Sequence, residues 1–150
     1  MQHDRFYVGV DLEQGVLKIG MTTRTVHQRV SKIQKEGLPD FTVYRVVDFK
    51  GNTSRFLQSL KLESVMRILL ENDDSGLIKG RLLNKLDYFC LIPTTNIEEK
   101  LWLLIDNYIN QALIICKTYP LSFYLENAET LPKPVAYTRI IKEKIGPYTW

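Results

Sequence analysis

Two short runs rich in aromatic and β-branched residues, Phe6 to Val10 and Val16 to Gly20, flank the polar stretch Asp11 to Gly15, a pattern that predicts a β-hairpin. After Gly20 the period changes. Val26, Val30 and Ile33 recur at helical spacing, Thr25 with Gln28 forms a capping-box signature, and Gly37 followed by Pro39 supplies a terminator. Arg29 falls beside those three apolar residues, on the side expected to face the sheet. The next run, Phe41 to Phe49, alternates Val43, Arg45 and Val47 against Tyr44 and Val46; apolar groups on both faces predict a central strand. Gly51-Asn52-Thr53-Ser54 reads as a turn and helix cap, and a helix from about Arg55 to Glu71 gathers Leu62, Val65, Met66, Leu69 and Leu70 on one broad face.

Beyond a closing Asp87-Tyr88-Phe89 strand, Thr94-Thr95-Asn96 followed by Glu98 and Glu99 marks the start of a further helix running to about Lys117. Leu101, Leu104, Ile105, Tyr108, Ala112 and Ile115 line one face of it, widened by Trp102, Ile109 and Leu113. Such a surface either packs on the core or makes a homodimer interface through 97–117. The last thirty residues are rich in Pro, Tyr and mixed charge; they wrap over the core, add a strand, or contact DNA through Lys133, Arg139, Lys142 and Lys144. The elements together predict an α+β fold: a small, mainly antiparallel sheet of three or four strands flanked by helices, with a C-terminal helical extension. Residues 1–92 form the first domain and 93–150 the helix and tail that pack on it.

Composition narrows the classes. One hundred and fifty residues at 45% hydrophobic suffice for one core. The net charge of +3 conceals a local excess: between Val16 and Glu36 lie Lys18, Arg24, Arg29, Lys32 and Lys35 against the single acid Glu36, and a second basic stretch holds Lys79, Arg81 and Lys85. Lined along one edge, these offer a positive field to phosphates. Cys90 and Cys116 lack paired or zinc-type spacing and read as buried free thiols in a reducing cytoplasm. The N-terminal residues lack the apolar core of a signal peptide, and Leu101 to Cys116, interrupted by Asp106, Asn107, Asn110 and Gln111, is too short to span a bilayer, so no membrane partner is expected.

Glu63 carries the chemical question. At 100 degrees per residue it falls inside the hydrophobic arc of its helix, between Leu70 and Phe56. A buried unpaired carboxylate costs several kcal/mol, so this one needs a partner. It is met either by a salt bridge to Arg29 or Lys18, or by a divalent metal with water completing an oxygen shell.

Phe6-Tyr7-Val8, a loop of about ten residues, Leu17-Lys18-Ile19-Gly20-Met21-Thr22 and then Arg29 resemble the GIY-YIG nuclease superfamily, in its phage-type branch with KIG in place of YIG. The similarity continues through Leu38-Pro39-Asp40-Phe41, the strand from Thr42 to Phe49, the helix bearing Glu63 and the closing Asp87-Tyr88-Phe89, covering residues 5 to about 92. The resemblance implies a metal-dependent endonuclease that hydrolyses phosphodiester bonds in DNA, of phage or mobile-element type. Tyr7 would be the base or the orienter of the attacking water, and Arg29 would stabilise the charge on the pentacovalent phosphorane. Glu63 would hold one Mg²⁺ or Mn²⁺ against the leaving oxygen. Lys18 stands where most members carry a second tyrosine and would depress the pKa of Tyr7 or bind phosphate. A phenol with an ordinary pKa of ~10 serves as a base only when such cations lower it.

Gly20, Thr22, Thr23, Arg24, His27 and Lys32 are the expected substrate-binding residues, Gly20 by letting phosphate approach the backbone. His27 lies off the apolar stripe, as a solvent or phosphate contact. Met21 stands where many relatives have lysine, Asn84 matches the family asparagine only by order, and Asp87 occupies a position often held by glutamate. A chain that keeps the fold and the phosphate-binding groups without turnover would instead act as a binding regulator of nucleic acid or protein.

Overall fold

A computed structural model of the chain describes residues 3–49, 57–83 and 85–117. Asn84, the turn and cap expected at 51–54 and the whole tail from 118 lie outside the described residues. The element order is β1 (Arg5–Asp11), β2 (Val16–Thr22), α1 (Val26–Lys35), β3 (Thr42–Asp48), α2 (Gln58–Glu71), β4 (Ile78–Arg81), β5 (Tyr88–Leu91) and α3 (Ile97–Lys117). The strands form one antiparallel sheet in the order β3-β1-β2-β5-β4. The fold is therefore α+β with five strands, not three or four. The extra strand, β4, is four residues long and contains Lys79, Gly80 and Arg81, so it carries no alternation from which periodicity could have found it.

Helices cover both faces of the sheet. Tyr7, Val16, Val43 and Val46 pack with Val26, Val30 and Ile33 of α1. Phe6, Val8, Val10, Leu17 and Ile19 point the other way, into a larger core with Leu62, Met66 and Leu70 of α2 and Leu101, Ile105, Ile109 and Ala112 of α3. Two-sided cover accounts for the misplaced β3. Its apolar residues on both faces reflect helices above and below, while its place in the sheet is the edge, paired only with β1.

A register shift between Val8 and Gly9 leaves Tyr44 as an extra residue opposite β1 and breaks the alternation expected of β3. Arg45, paired with Val8, accordingly reaches α3, where it binds both carboxylate oxygens of Asp106, its Nη2 at 2.8 Å from Oδ2. Tyr44 meets Trp102 edge to face with ring centroids 5.2 Å apart. These contacts fix α3 on the sheet. Its outer face carries Leu103, Asn107, Asn110 and Ile114, so the exposed leucine and isoleucine are separated by amides and make no continuous apolar stripe. No helix among the described residues is long and apolar enough to cross a membrane.

Helix α1 is built as its sequence predicts. The Thr25 hydroxyl accepts from the Gln28 N–H, and the Gln28 side chain accepts from the Thr25 N–H. Gly37, at φ +122°, takes the turn out of the helix at a conformation that other residues avoid. Helix α2 is capped differently. Its N-cap, Leu57, has no side chain able to accept; the carboxylate of Asp4, from the stretch before β1, accepts from the Gln58 and Ser59 N–H groups at 2.8 and 3.0 Å. Asp4 is thus buried, and just before it His3 N–H donates to Thr23 O at 3.0 Å.

Candidate active site

The hairpin sets the first two residues of the site by strand register. Tyr7 on β1 lies opposite Gly20 on β2, and Lys18 lies opposite Gly9 on one side and Tyr88 on the other. Side chains alternate between faces, so Tyr7 and Lys18 both project toward α1 while Leu17 and Ile19 enter the larger core. The phenol of Tyr7 crosses directly over Gly20. A Cβ at that glycine would stand 2.3 Å from the hydroxyl oxygen, so the residue is small because the ring occupies the space. Gly20 therefore supports Tyr7, and does not line the cavity into which a phosphate would enter.

From α1, Arg29 reaches down to this pair and donates its Nε–H to the Tyr7 hydroxyl at 3.2 Å. Lys18 Nζ sits 5.5 Å from the centre of the Tyr7 ring and 4.7 Å from that of Tyr88, and donates to the carbonyl of Ile19 at 3.2 Å. Only 4% of Lys18 is exposed. Loss of water brings its ammonium down to about 8, and the Arg29 charge pushes the same way. Tyr7 moves opposite to expectation: burial lifts the phenol to about 12, outweighing the hydrogen bond and charge of Arg29 that favour the phenolate. The same bond raises Arg29 above its already high value.

Strand β5 pairs with β2 only along Val16–Lys18, and the chain before it turns away after Asp87 O accepts from Ile19 N at 3.0 Å. At this point α2 joins the site. Arg67 donates to Asp87 Oδ1 from Nη2 at 2.8 Å and from Nε at 3.0 Å, and its Nη2 also reaches Glu63 Oε1 at 3.2 Å. Glu63 keeps 12% of its side chain exposed and lies close enough for its charge to bear on Tyr7 and Lys18. Desolvation raises its carboxyl to about 7, the neighbouring Asp87 adds to the rise, and Arg67 and Lys18 oppose it. The ion pair foreseen for Glu63 exists, but with Arg67 and not with Arg29 or Lys18. One arginine shared by two acids explains why a carboxylate inside the apolar arc is tolerated.

Thr22, Thr23, Arg24 and Lys32, together with Arg29, Met21 and Gln28, line a cavity of about 430 Å³ between the end of β2 and α1. His27 is half-buried on α1 and stands outside that lining. The second basic stretch divides: Arg81 pairs with Glu71 at 3.0 Å, whereas Lys85 lies 4.7 Å above the Tyr88 ring, on the flank of the site. Three participants went unread in the sequence. Arg67, four residues after Glu63, was visible as an i,i+4 pair. Tyr88, read only as part of the closing strand, has Lys18 Nζ and Lys85 Nζ each 4.7 Å from its ring centre. Gln28 was assigned only to its capping box. Cys90 is half-buried and Cys116 buried.

A divalent cation prefers carboxylate oxygen, and Mg²⁺ keeps most of its waters while taking one or two such ligands. Such a cation would take its oxygens from Glu63 and Asp87, the two carboxylates that Arg67 bridges. Among the described residues no group of three or more His, Cys, Asp or Glu side chains gathers. No protein-family model, curated protein or solved structure matches the chain.

Proposed function

We propose that the protein is a metal-dependent DNA endonuclease, working as the GIY-YIG nucleases that its first ninety residues resemble. The observation that carries this reading is the convergence of Tyr7, Lys18, Arg29 and Glu63, from two strands and two helices, with Arg29 and Glu63 each within hydrogen-bonding or electrostatic reach of Tyr7 and Lys18. A buried tyrosine and lysine gathered with a half-buried arginine and acid at one place are not needed for folding; together they suit a phosphodiester.

In this reading the guanidinium of Arg29, with Nε held by Tyr7, directs its remaining N–H donors at the phosphate oxygens, where negative charge grows as water attacks. Lys18 adds positive charge to the same wall. Tyr7 keeps its proton at neutral pH, so its part is to orient the water and Arg29 and not to remove a proton. Glu63, with Asp87 beside it, would hold Mg²⁺ or Mn²⁺, and Arg67 would be released when the metal enters. The metal supplies charge stabilisation at the leaving oxygen.

The test is plasmid nicking with Mg²⁺ or Mn²⁺. Wild type nicks, while Glu63→Ala and Arg29→Ala lose at least about a hundredfold in rate, the scale of one electrostatic contact at a transition state. Absence of metal-dependent cleavage on DNA ends this reading. One observation favours the second reading, a nucleic-acid-binding regulator without turnover: the 3.2 Å contact by which Arg67 occupies Glu63. Arg67→Gln discriminates, since a plugged nuclease gains cleavage at low metal and a binding protein gains none.

A further inference from the structure

At the turn end of the β1–β2 hairpin, away from the Thr22 end, a second cavity of about 430 Å³ lies between the start of β3 and the first turns of α3. It is acidic where the first is basic: Glu13, Asp40 and Glu98 are exposed carboxylates on its rim, and no cationic side chain lines it. Its floor is aromatic, made by Tyr44 and the half-buried Trp102. Val43 packs toward α1 and Tyr44 toward α3, yet both line the cavity. The cavity therefore wraps the outer edge of β3, which pairs with no strand on that side among the described residues.

The Tyr44 hydroxyl is the unfinished part of this place. Tyr44 is 3% exposed, its oxygen is buried, and no hydrogen bond of ordinary geometry reaches that oxygen among the described residues. The Trp102 indole pulls only weakly against burial and the Glu98 charge, which raise the phenol. Glu98 thus acts on the hydroxyl, and acid rim and phenol face one space. A buried oxygen left unbonded is costly, so it calls for a donor. A metal ion does not fit, because the three acids do not gather into a ligating group and Val10 and Leu12 supply apolar wall. A diffuse cation does fit. Guanidinium and alkylammonium groups bring N–H donors for the phenol oxygen and rest on aromatic faces. One such group already lies on the floor: Arg45 Cζ is 5.3 Å from the centre of the Trp102 ring, its charge matched by Asp106. We propose that this cavity binds an organic cation, a guanidinium or alkylammonium head on an apolar stem. The head meets Tyr44, Trp102 and the three acids, and the stem lies along Val10 and Leu12. The inference stands apart from the nuclease reading.

Trp102 reports on the cavity once Trp150→Phe leaves it the single tryptophan of the full chain. Butylguanidinium changes its emission saturably, whereas butylurea, the same shape without the charge, does not. Asp40→Asn/Glu98→Gln weakens binding about fivefold or more, the scale of two partly exposed charge contacts. Tyr44→Phe weakens it about threefold, the scale of one hydrogen bond, and keeps the melting temperature, since the hydroxyl it removes has no bond within the fold. The inference is overturned by the absence of a saturable change, by equal binding of butylurea, by wild-type affinity in the acid variant, or by a lowered melting temperature in Tyr44→Phe. The peptide acetyl-Val-Arg-Val-amide separates two sources of the same head. Binding tighter than that of butylguanidinium supports the site with the cation carried by a chain laid along β3, and equal or weaker binding supports it with a small amine or guanidine as the ligand.

Discussion

At the scale of single residues, the site is held by steric fit and by charge sharing. Gly20 has no freedom to grow, since the Tyr7 ring already fills the place of a side chain. Gly20→Ala is expected to destabilise by about 1–3 kcal/mol, as overpacking does, and to break the Tyr7–Arg29 bond; a melting curve and loss of nicking check it. Glu63 links stability to pH. Its carboxyl rises from 4.5 to about 7 on folding, so between those values the folded protein keeps a proton that the unfolded chain gives up. That contribution is fully present below about pH 4.5 and is lost as pH rises through 7. In EDTA, wild type should lose stability relative to Glu63→Gln from about pH 5 to 7, with the two curves running parallel above. Parallel curves across the whole range would remove the proton from Glu63.

Among the elements, α2 depends most on distant chain. The acid it carries is only as well placed as its first turn, and that turn is capped by Asp4, more than fifty residues earlier. Asp4→Ala leaves two N–H groups without their acceptor and removes a negative charge from the positive end of the helix. A loss of about 1–2 kcal/mol is expected, read as a lower urea midpoint at unchanged slope, with Asp4→Asn recovering part of it. No local pattern announces such a cap, because the usual signature is short-range and here the carboxylate arrives from before β1. By contrast α1 was legible throughout, since its box, its apolar spacing and Gly37 lie within about a dozen residues. The same distinction governs the site. Arg29 and Glu63 were legible as polar residues inside apolar patterns, and Tyr7 and Lys18 through the family resemblance, while Tyr88 and the bond from Arg67 to Asp87 are contacts between elements that no periodicity encodes. The bulge after Val8 and the edge position of β3 belong to the same class of long-range fact.

For the whole molecule, one buried ion pair joins the sheet to the last described helix. Arg45 is only 4% exposed and its guanidinium is matched by both oxygens of Asp106. Asp106→Ala strands that charge and should cost about 3–5 kcal/mol, whereas Arg45→Met/Asp106→Leu, which removes both charges, should cost much less; thermal melts of the single and double variants decide it. Equal losses in both would mean that shape, and not charge, docks α3. At the far side of the sheet lies β4, short, interrupted by a register shift at Ile78/Gly80, and bearing Lys79 and Arg81. A foreign strand arriving there would meet four residues, two of them cationic, and a broken ladder. The β4 end thus offers a poor template for fibrous growth, and the protein is kept from recruiting copies of itself along that side.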